Sequence, residues 1–253
     1  MTMPWPDALH TAGWIPISAS LFIGSFLGTV VTRLPAGRSV LLGRSICEEC
    51  HHKLGVFDLF PVLSWITAGR RCRHCGAPVG AFYALIELSA LGLALWAATI
   101  WSDAWLWISC GLAWCLLALA VIDIRDGLLP DVLTLPLVVS GLAVTWVYWP
   151  EEFPQHVVGA LAGYAALWLI RFAYQKLRRR DGLGLGDAKL FAAAGAWLSW
   201  WGLPSVLLYG SVATLIGAII ALRETESIEA RHIPFGPGLC LGFWLVWLYG
   251  PLS

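Results

Sequence analysis

Apolar segments of about 20 residues recur along almost the whole chain, and they constrain its fold more than any other feature. A segment of this length can cross the hydrocarbon core of a bilayer as a helix, which satisfies its own backbone hydrogen bonds there. The candidate spans are residues 14–33, 82–101, 104–122, 132–149, 154–175, 187–201, 204–222 and 233–249. Only 13% of the residues are charged, against roughly 25% in a soluble domain. The sequence therefore predicts an all-α polytopic membrane protein with about eight transmembrane helices.

The distribution of basic residues predicts the orientation of these helices. All 16 Lys and Arg residues lie in or beside alternate connections between the spans. The charged residues of the opposite connections are all acidic, for example Asp103 and Glu151. Because basic connections stay on the cytoplasmic side, we expect both termini outside and residues 34–81 in the cytoplasm. Arg33 follows the first span without a small-residue cleavage site, so we interpret that span as a retained helix.

The charge balance and the lengths of the connections predict the domain organisation. Sixteen basic residues are matched by 16 acidic residues, so the sequence gives no reason to expect nucleic acid as a partner. We predict a first transmembrane helix in residues 1–33, a cytoplasmic domain in 34–81 and a seven-helix membrane domain in 82–253. The cytoplasmic connection is too small to fold around a large apolar core unaided.

Two Cys-x-x-Cys pairs lie in that cytoplasmic connection. Cys47 and Cys50 form the first pair, and Cys72 and Cys75 form the second after 21 intervening residues. This spacing is typical of a tetrahedral zinc site with four thiolate ligands, and a structural zinc would stabilise a small domain that has little core. Disulfides are the alternative interpretation, but they rarely persist in the cytoplasm.

Two acidic residues stand beside predicted transmembrane helices at the cytoplasmic level. Asp123 ends an apolar helix without a break, so we expect its carboxyl to remain within the helix bundle. Asp187 follows three alternating glycines, Gly182, Gly184 and Gly186, which permit close approach of another backbone. Asp187 taken alone could also be a helix N-cap. Ionisable residues at such positions are costly to bury and are usually functional.

A pair of converging carboxyls can hydrolyse a peptide bond. Repulsion prevents both groups from ionising easily, so they share one proton. The ionised member then takes a proton from water while the protonated member polarises the scissile carbonyl. Zinc hydrolysis has little support, because a His-Glu-x-x-His motif is absent from the sequence and a four-cysteine site is closed to substrate.

The ordered combination of motifs resembles the bacterial type IV prepilin peptidases, the leader peptidases of type IV pili and type II secretion. The likeness covers nearly the whole chain. It comprises the four cysteines and the segments Gly24–Leu27, Arg33–Pro35, Asp58–Trp65, Gly69–Cys75, Tyr83–Glu87, Asp123–Pro136, Gly184–Leu190, Gly195–Trp197 and Ile233–Pro237. The aspartate motif at 184–187 is shared with other intramembrane aspartic proteases, whereas the combination with the cysteines is more specific.

The resemblance implies that Asp123 and Asp187 are the catalytic pair and that cleavage occurs at the cytoplasmic face of the inner membrane. The implied substrates are prepilins or pseudopilins, which carry a short basic leader followed by an apolar helix. Many members of the family also methylate the new N-terminus with S-adenosylmethionine, an activity that involves the cytoplasmic domain. Leu59-Phe60 and Ala84 depart from the usual family residues, and they leave the acids and cysteines unchanged.

Two other classes of function compete with a peptidase. A proton- or ion-coupled transporter also needs membrane carboxylates, but it predicts internal repeats with broken helices near the bilayer midplane. An assembly scaffold would dock partners through the zinc domain and use the acids only as helix caps. A scaffold would therefore tolerate Asp→Asn changes at both positions.

Overall fold

The computed structural model describes residues 14–40, 49–50, 52, 71–78, 80–178, 184–224 and 234–252. These residues contain the helices α1 (Trp14–Arg33), α2 (Phe82–Ala98), α3 (Asp103–Asp126), α4 (Asp131–Tyr148), α5 (Phe153–Arg178), α6 (Leu185–Glu224) and α7 (Gly236–Tyr249). Over this part of the chain the only extended pairing is an isolated bridge between Arg71 and Pro78. The predicted all-α class is confirmed.

The helices differ in whether their length alone would let them cross a bilayer. Five of them, α1, α3, α4, α5 and α6, are long and apolar enough to do so, and α2 and α7 are shorter apolar helices. The predicted second span also ends earlier than expected, because α2 stops at Ala98 rather than at residue 101. Many outward-facing side chains are apolar, for example Val139 and Leu161, which are 65% and 67% exposed. Such a surface suits lipid better than water.

The helix α6 consists of two arms that meet at Ser199. Its 40 residues would extend roughly 60 Å if straight, about twice the thickness of a bilayer core. Ser199 has non-helical dihedrals, φ 60° and ψ −179°, a region that only glycine adopts readily. His156 Nδ1 donates a hydrogen bond at 2.9 Å to the carbonyl oxygen of Ala196, just before the break. The donor must be the histidine, because a carbonyl can only accept.

Contacts with α7 show that the two arms run in opposite directions. In the first arm, Trp197 packs edge-on against Trp247 near the end of α7, at 5.2 Å between ring centroids. The second arm begins at the same end, where Ser205 Oγ accepts a hydrogen bond from the backbone N–H of Leu252. Gly210 then lies against Gly238 at the beginning of α7. The chain therefore reverses direction between these contacts, within one element.

The described residues fall into two compact units, one up to Ala118 and one from Leu119 onward. In the first unit, α1 packs closely on α2. A Cβ on Gly24 would lie 2.6 Å from the Cα of Glu87, and one on Gly28 would lie 2.5 Å from the ring of Tyr83. Small residues at such contacts let membrane helices approach closely, since lipid provides no hydrophobic driving force between them.

In the second unit, α6 is the central element and packs against α4, α5 and α7. The helices α5 and α6 approach closely, since a Cβ on Gly195 would lie 2.1 Å from the carbonyl oxygen of Gly159. On α4, Gly141 leaves room for the indole of Trp197, whose Nε1 donates to the carbonyl oxygen of Leu137 at 2.8 Å. These contacts fix the position of α6, which carries Asp187.

Candidate active site

Asp123 lies in the last turn of α3, and its side chain is buried. The residue is 7% exposed. The helix ends just beyond it, because Gly127 adopts φ 64° and its N–H donates to the Asp123 carbonyl oxygen at 3.0 Å. The carboxylate oxygen Oδ2 accepts a hydrogen bond from the backbone N–H of Gly236 at 3.0 Å. Gly236 is the first residue of α7, so the carboxyl faces a helix N-terminus, which favours negative charge.

Asp187 is the third residue of α6, and it is also buried, at 8% exposed. Its Oδ2 accepts a hydrogen bond from the backbone N–H of Gly184 at 3.1 Å. An acidic side chain that reaches back in this way satisfies one of the free N–H groups at a helix start. Both predicted acids therefore have a carboxyl held by a backbone N–H, at the end of one helix and the start of another.

One side chain, Leu129, connects the surroundings of the two acids. A Cβ built on Gly186 would lie 2.6 Å from Leu129 Cβ, and a Cβ built on Gly236 would lie 3.3 Å from Leu129 Cδ1. Gly186 precedes Asp187 in the sequence, and Gly236 bonds to Asp123. The end of α3, the start of α6 and the start of α7 therefore meet around Leu129. The two buried, hydrogen-bonded carboxyls therefore lie on segments that share Leu129 as a neighbour, an arrangement that acid–base chemistry could use.

The neighbouring acids have other environments. Asp126, three residues after Asp123, is exposed. Asp131 matches a simple N-cap pattern in the sequence, but Pro130 occupies the cap position and makes no side-chain cap. Asp131 instead forms an ion pair with Lys189 of α6. That ion pair joins the starts of α4 and α6 on the exposed side of the unit. Of the acids named here, Asp123 and Asp187 are the buried ones.

Three of the four predicted zinc ligands lie together. The sulfur atoms of Cys50, Cys72 and Cys75 all lie within 4.8 Å of one another. The second pair sits on a tight turn, in which the N–H of Gly76 donates to the carbonyl oxygen of Cys72 at 2.9 Å. This separation fits a tetrahedral ion with metal–sulfur distances of about 2.3 Å. The three thiols could therefore hold a metal ion, whereas Cys47 lies outside the described residues.

Two contributors to the aspartate site, Gly236 and Leu129, were not predicted from the sequence as site residues. Both fall within motifs that carry the family resemblance, at 233–237 and 123–136. Their roles are a backbone N–H and an apolar contact, and neither has a side chain that signals chemistry. A Phe-Gly-Pro sequence at the start of an apolar helix is the one local signal that could have directed attention to Gly236.

Comparison with known proteins gives the family. Residues 110–221 match the type IV leader peptidase family, and residues 19–101 match the bacterial peptidase A24 N-terminal domain. A prepilin leader peptidase/N-methyltransferase of Aeromonas hydrophila is 36% identical, over 96% of this chain and 94% of the relative. The chain belongs to the type IV leader peptidase family. The resemblance predicted from the motifs is confirmed.

Other members of the type IV leader peptidase family show similar coverage. Proteins of the same description from Burkholderia pseudomallei (strain 1026b) and Pseudomonas aeruginosa are 38% and 32% identical, over 89% and 92% of this chain. No solved structure matches the chain. The family and the apolar helices together make this an inner-membrane, multi-pass all-α protein, and they give no support to the transporter alternative.

Proposed function

We propose that the protein removes the short basic leader from prepilins or pseudopilins and that Asp123 and Asp187 form its catalytic pair. Membership of the family supports the reaction. The observation that carries the residue assignment is the convergence on Leu129 of the segments that hold two buried carboxyls. Two acids that served only as helix caps would not need to be buried on segments that share Leu129 as a neighbour.

The proposed hydrolysis uses the pair as acid and base. One carboxylate takes a proton from a water molecule, whose oxygen attacks the scissile carbonyl carbon, while the other carboxylic acid donates its proton to the carbonyl oxygen. The tetrahedral intermediate then collapses, the carbon–nitrogen bond breaks and the leaving nitrogen receives a proton from the pair. The backbone N–H groups of Gly184 and Gly236 orient the two carboxyls, so little rearrangement is needed when water binds.

The proposed metal is a structural zinc ion held by Cys47, Cys50, Cys72 and Cys75. The proximity of three of these sulfurs supports the assignment. A closed four-thiolate site leaves no position for substrate, so the ion would order the cytoplasmic domain rather than take part in hydrolysis. Cys72 is buried while Cys50 and Cys75 are exposed, as expected for a small site near the surface of its domain.

The proposed second activity is methylation of the newly exposed N-terminus by S-adenosylmethionine. The printed description of the relatives as N-methyltransferases supports this activity. The cytoplasmic domain is the proposed location, in agreement with the match of residues 19–101 to the family's N-terminal domain. When bound, S-adenosylmethionine would supply the methyl group to the free amine that cleavage creates.

The proposed topology has eight spans, with both termini outside and the aspartate pair at the cytoplasmic face. The opposed arms of α6 support this count, because each arm would cross the membrane once and the seven described helices would then give eight spans. The distribution of Lys and Arg supports the orientation. An apolar substrate helix could then lie in the bilayer while its basic leader and cleavage site remain at the cytoplasmic boundary, beside the acids.

Mass spectrometry of a model prepilin incubated with the purified protein tests the function. We expect loss of the leader and, with S-adenosylmethionine present, a further methyl mass on the shortened product. A leader-less product without the methyl mass would remove the second activity alone. No cleavage of several prepilins by the folded protein would contradict the proposed function.

A further inference from the structure

The connection between α3 and α4 places two consecutive leucines in different environments. The chain turns at Gly127, whose φ is 64°, and then passes through Leu128 and Leu129 before α4 begins. Leu128 is 52% exposed, whereas Leu129 is half-buried and points between two glycines. The sequence thus provides a pair of identical side chains of which only one contacts the aspartate site.

The contacts of Leu129 are unusually close because its partners have no side chain. Its Cβ lies 2.6 Å from the ideal Cβ position of Gly186, too close for a side chain on that residue, and its Cγ lies 3.4 Å from the same position. Its Cδ1 lies 3.3 Å from the ideal Cβ position of Gly236. The leucine therefore packs directly on the backbones of the first turns of α6 and α7. Backbone cannot move aside as a flexible side chain can.

The separation of the two carboxyls depends on such contacts, since the chain itself does not fix it. Asp123 ends α3 and Asp187 begins α6, and the helices α4 and α5 intervene in the sequence. Asp123 is further tied to α7 through the N–H of Gly236. A side chain in contact with both glycines sets how near the start of α6 comes to the start of α7, and hence to Asp123.

We propose that Leu129 is a positioning residue that sets the spacing of the aspartate pair by filling the gap between Gly186 and Gly236. This inference rests on the proposed function. It assigns a role in the reaction to an apolar residue that has no acid–base chemistry of its own. Truncating Leu129 leaves a void on which both turns can relax, and a displacement of about 1 Å at a reacting group can cost on the order of 100-fold in rate.

The test compares leader cleavage by purified wild-type protein with that of Leu129→Ala, Leu129→Val and Leu129→Met, with Leu128→Ala as the matched control. Each rate is divided by the folded fraction, measured by thermal unfolding in the same detergent.

We expect kcat to fall at least about tenfold for Leu129→Ala, because the void displaces the carboxyls, and less for Leu129→Val. KM should change less than kcat, since substrate binding is not altered. Leu129→Met, which conserves volume, should restore most of the activity, and Leu128→Ala should match wild type.

The pH dependence of kcat separates positioning from loss of fold. A changed spacing alters how the pair shares its proton, so the pH profile of Leu129→Val should shift relative to wild type. A purely structural role predicts an unshifted profile and a rate per folded molecule equal to that of wild type, and this result would overturn the inference. Failure of wild-type cleavage would instead count against the proposed function itself, so the two failures are distinguishable.

Discussion

The aspartate pair and the cysteine cluster both collect residues that are distant in the sequence, but different forces hold them together. Around the aspartates, three helix ends pack through glycine backbones, and two backbone N–H groups hold the carboxyls. Around the cysteines, the described structure is one tight turn with an isolated bridge. The first site is set by helix packing without any ligand. In the second, the proposed zinc ion would supply the stability that a small domain cannot obtain from its own core.

The difference determines how each site should respond to substitution. A site held by backbone contacts is sensitive to a single added methyl group, because neighbouring backbone cannot yield cheaply. A site held by thiolates is sensitive to the identity of its ligands and tolerant of changes elsewhere. The two sites lie in separate compact units, so damage to one should leave most of the other intact.

Among the variants that leave both aspartates unchanged, the largest loss of cleavage is expected from Gly236→Ala. The new Cβ would lie 2.6 Å from Asp123 Oδ2, so the carboxyl must move from its hydrogen bond. We expect kcat to fall on the order of 100-fold, measured as the rate of leader removal per folded molecule. Gly217→Ala is the matched control, since nothing lies within 4 Å of its added Cβ. Equal rates for the two variants would contradict the packing account.

Gly195→Ala should lower the stability of the fold and have a smaller effect on cleavage, because it acts on the packing of α5 against α6. Its Cβ would meet the carbonyl oxygen of Gly159, so the helices must separate and the free energy of unfolding should fall by about 1–3 kcal/mol. Thermal unfolding in detergent measures the change. Gly111→Ala, with open space around its added Cβ, should unfold at the wild-type midpoint in the same assay. An unchanged unfolding midpoint for Gly195→Ala would show that the close approach is not required.

The smallest effect on cleavage is expected from Cys72→Ser, although it should remove most of the bound zinc. Losing a thiolate opens the four-ligand site, while the aspartate pair lies in the other unit. We expect zinc content, measured by elemental analysis, to fall well below one ion per chain and leader cleavage to stay within about threefold of wild type. Cys115→Ser should retain zinc. Zinc content unchanged in Cys72→Ser would remove the metal assignment.

The sequence predicted the elements well because membrane helices are determined locally. Apolar length and charge predict each span on its own, and the two stretches at 187–201 and 204–222 correspond to the opposed arms of α6. The position of the break could not be predicted: it falls at Ser199, inside the stretch 187–201, and serine rarely adopts a positive φ. Surrounding packing imposes that conformation, and the hydrogen bond from His156 to Ala196 lies beside it.

The candidate site was only partly predictable. The sequence singles out Asp123 and Asp187 because acids are conspicuous in an apolar chain, and the structure shows both carboxyls buried at helix ends. Their catalytic role stays a proposal. Leu129 and Gly236 contribute a contact and a backbone N–H that depend on the packing of three distant segments. For Asp131 the local pattern is misleading. It predicts an N-cap, whereas Pro130 holds the cap position and the carboxylate pairs with the distant Lys189.

The most direct test of the aspartate pair is single-turnover leader cleavage by Asp123→Asn and Asp187→Asn, with the exposed Asp126→Asn as the matched control. The amide is nearly isosteric but cannot act as a general acid or base, so each of the first two variants should lose at least about 1,000-fold in rate and keep the wild-type unfolding midpoint. Asp126→Asn should cleave at close to the wild-type rate. Cleavage retained by either folded variant at position 123 or 187 would contradict the central assignment.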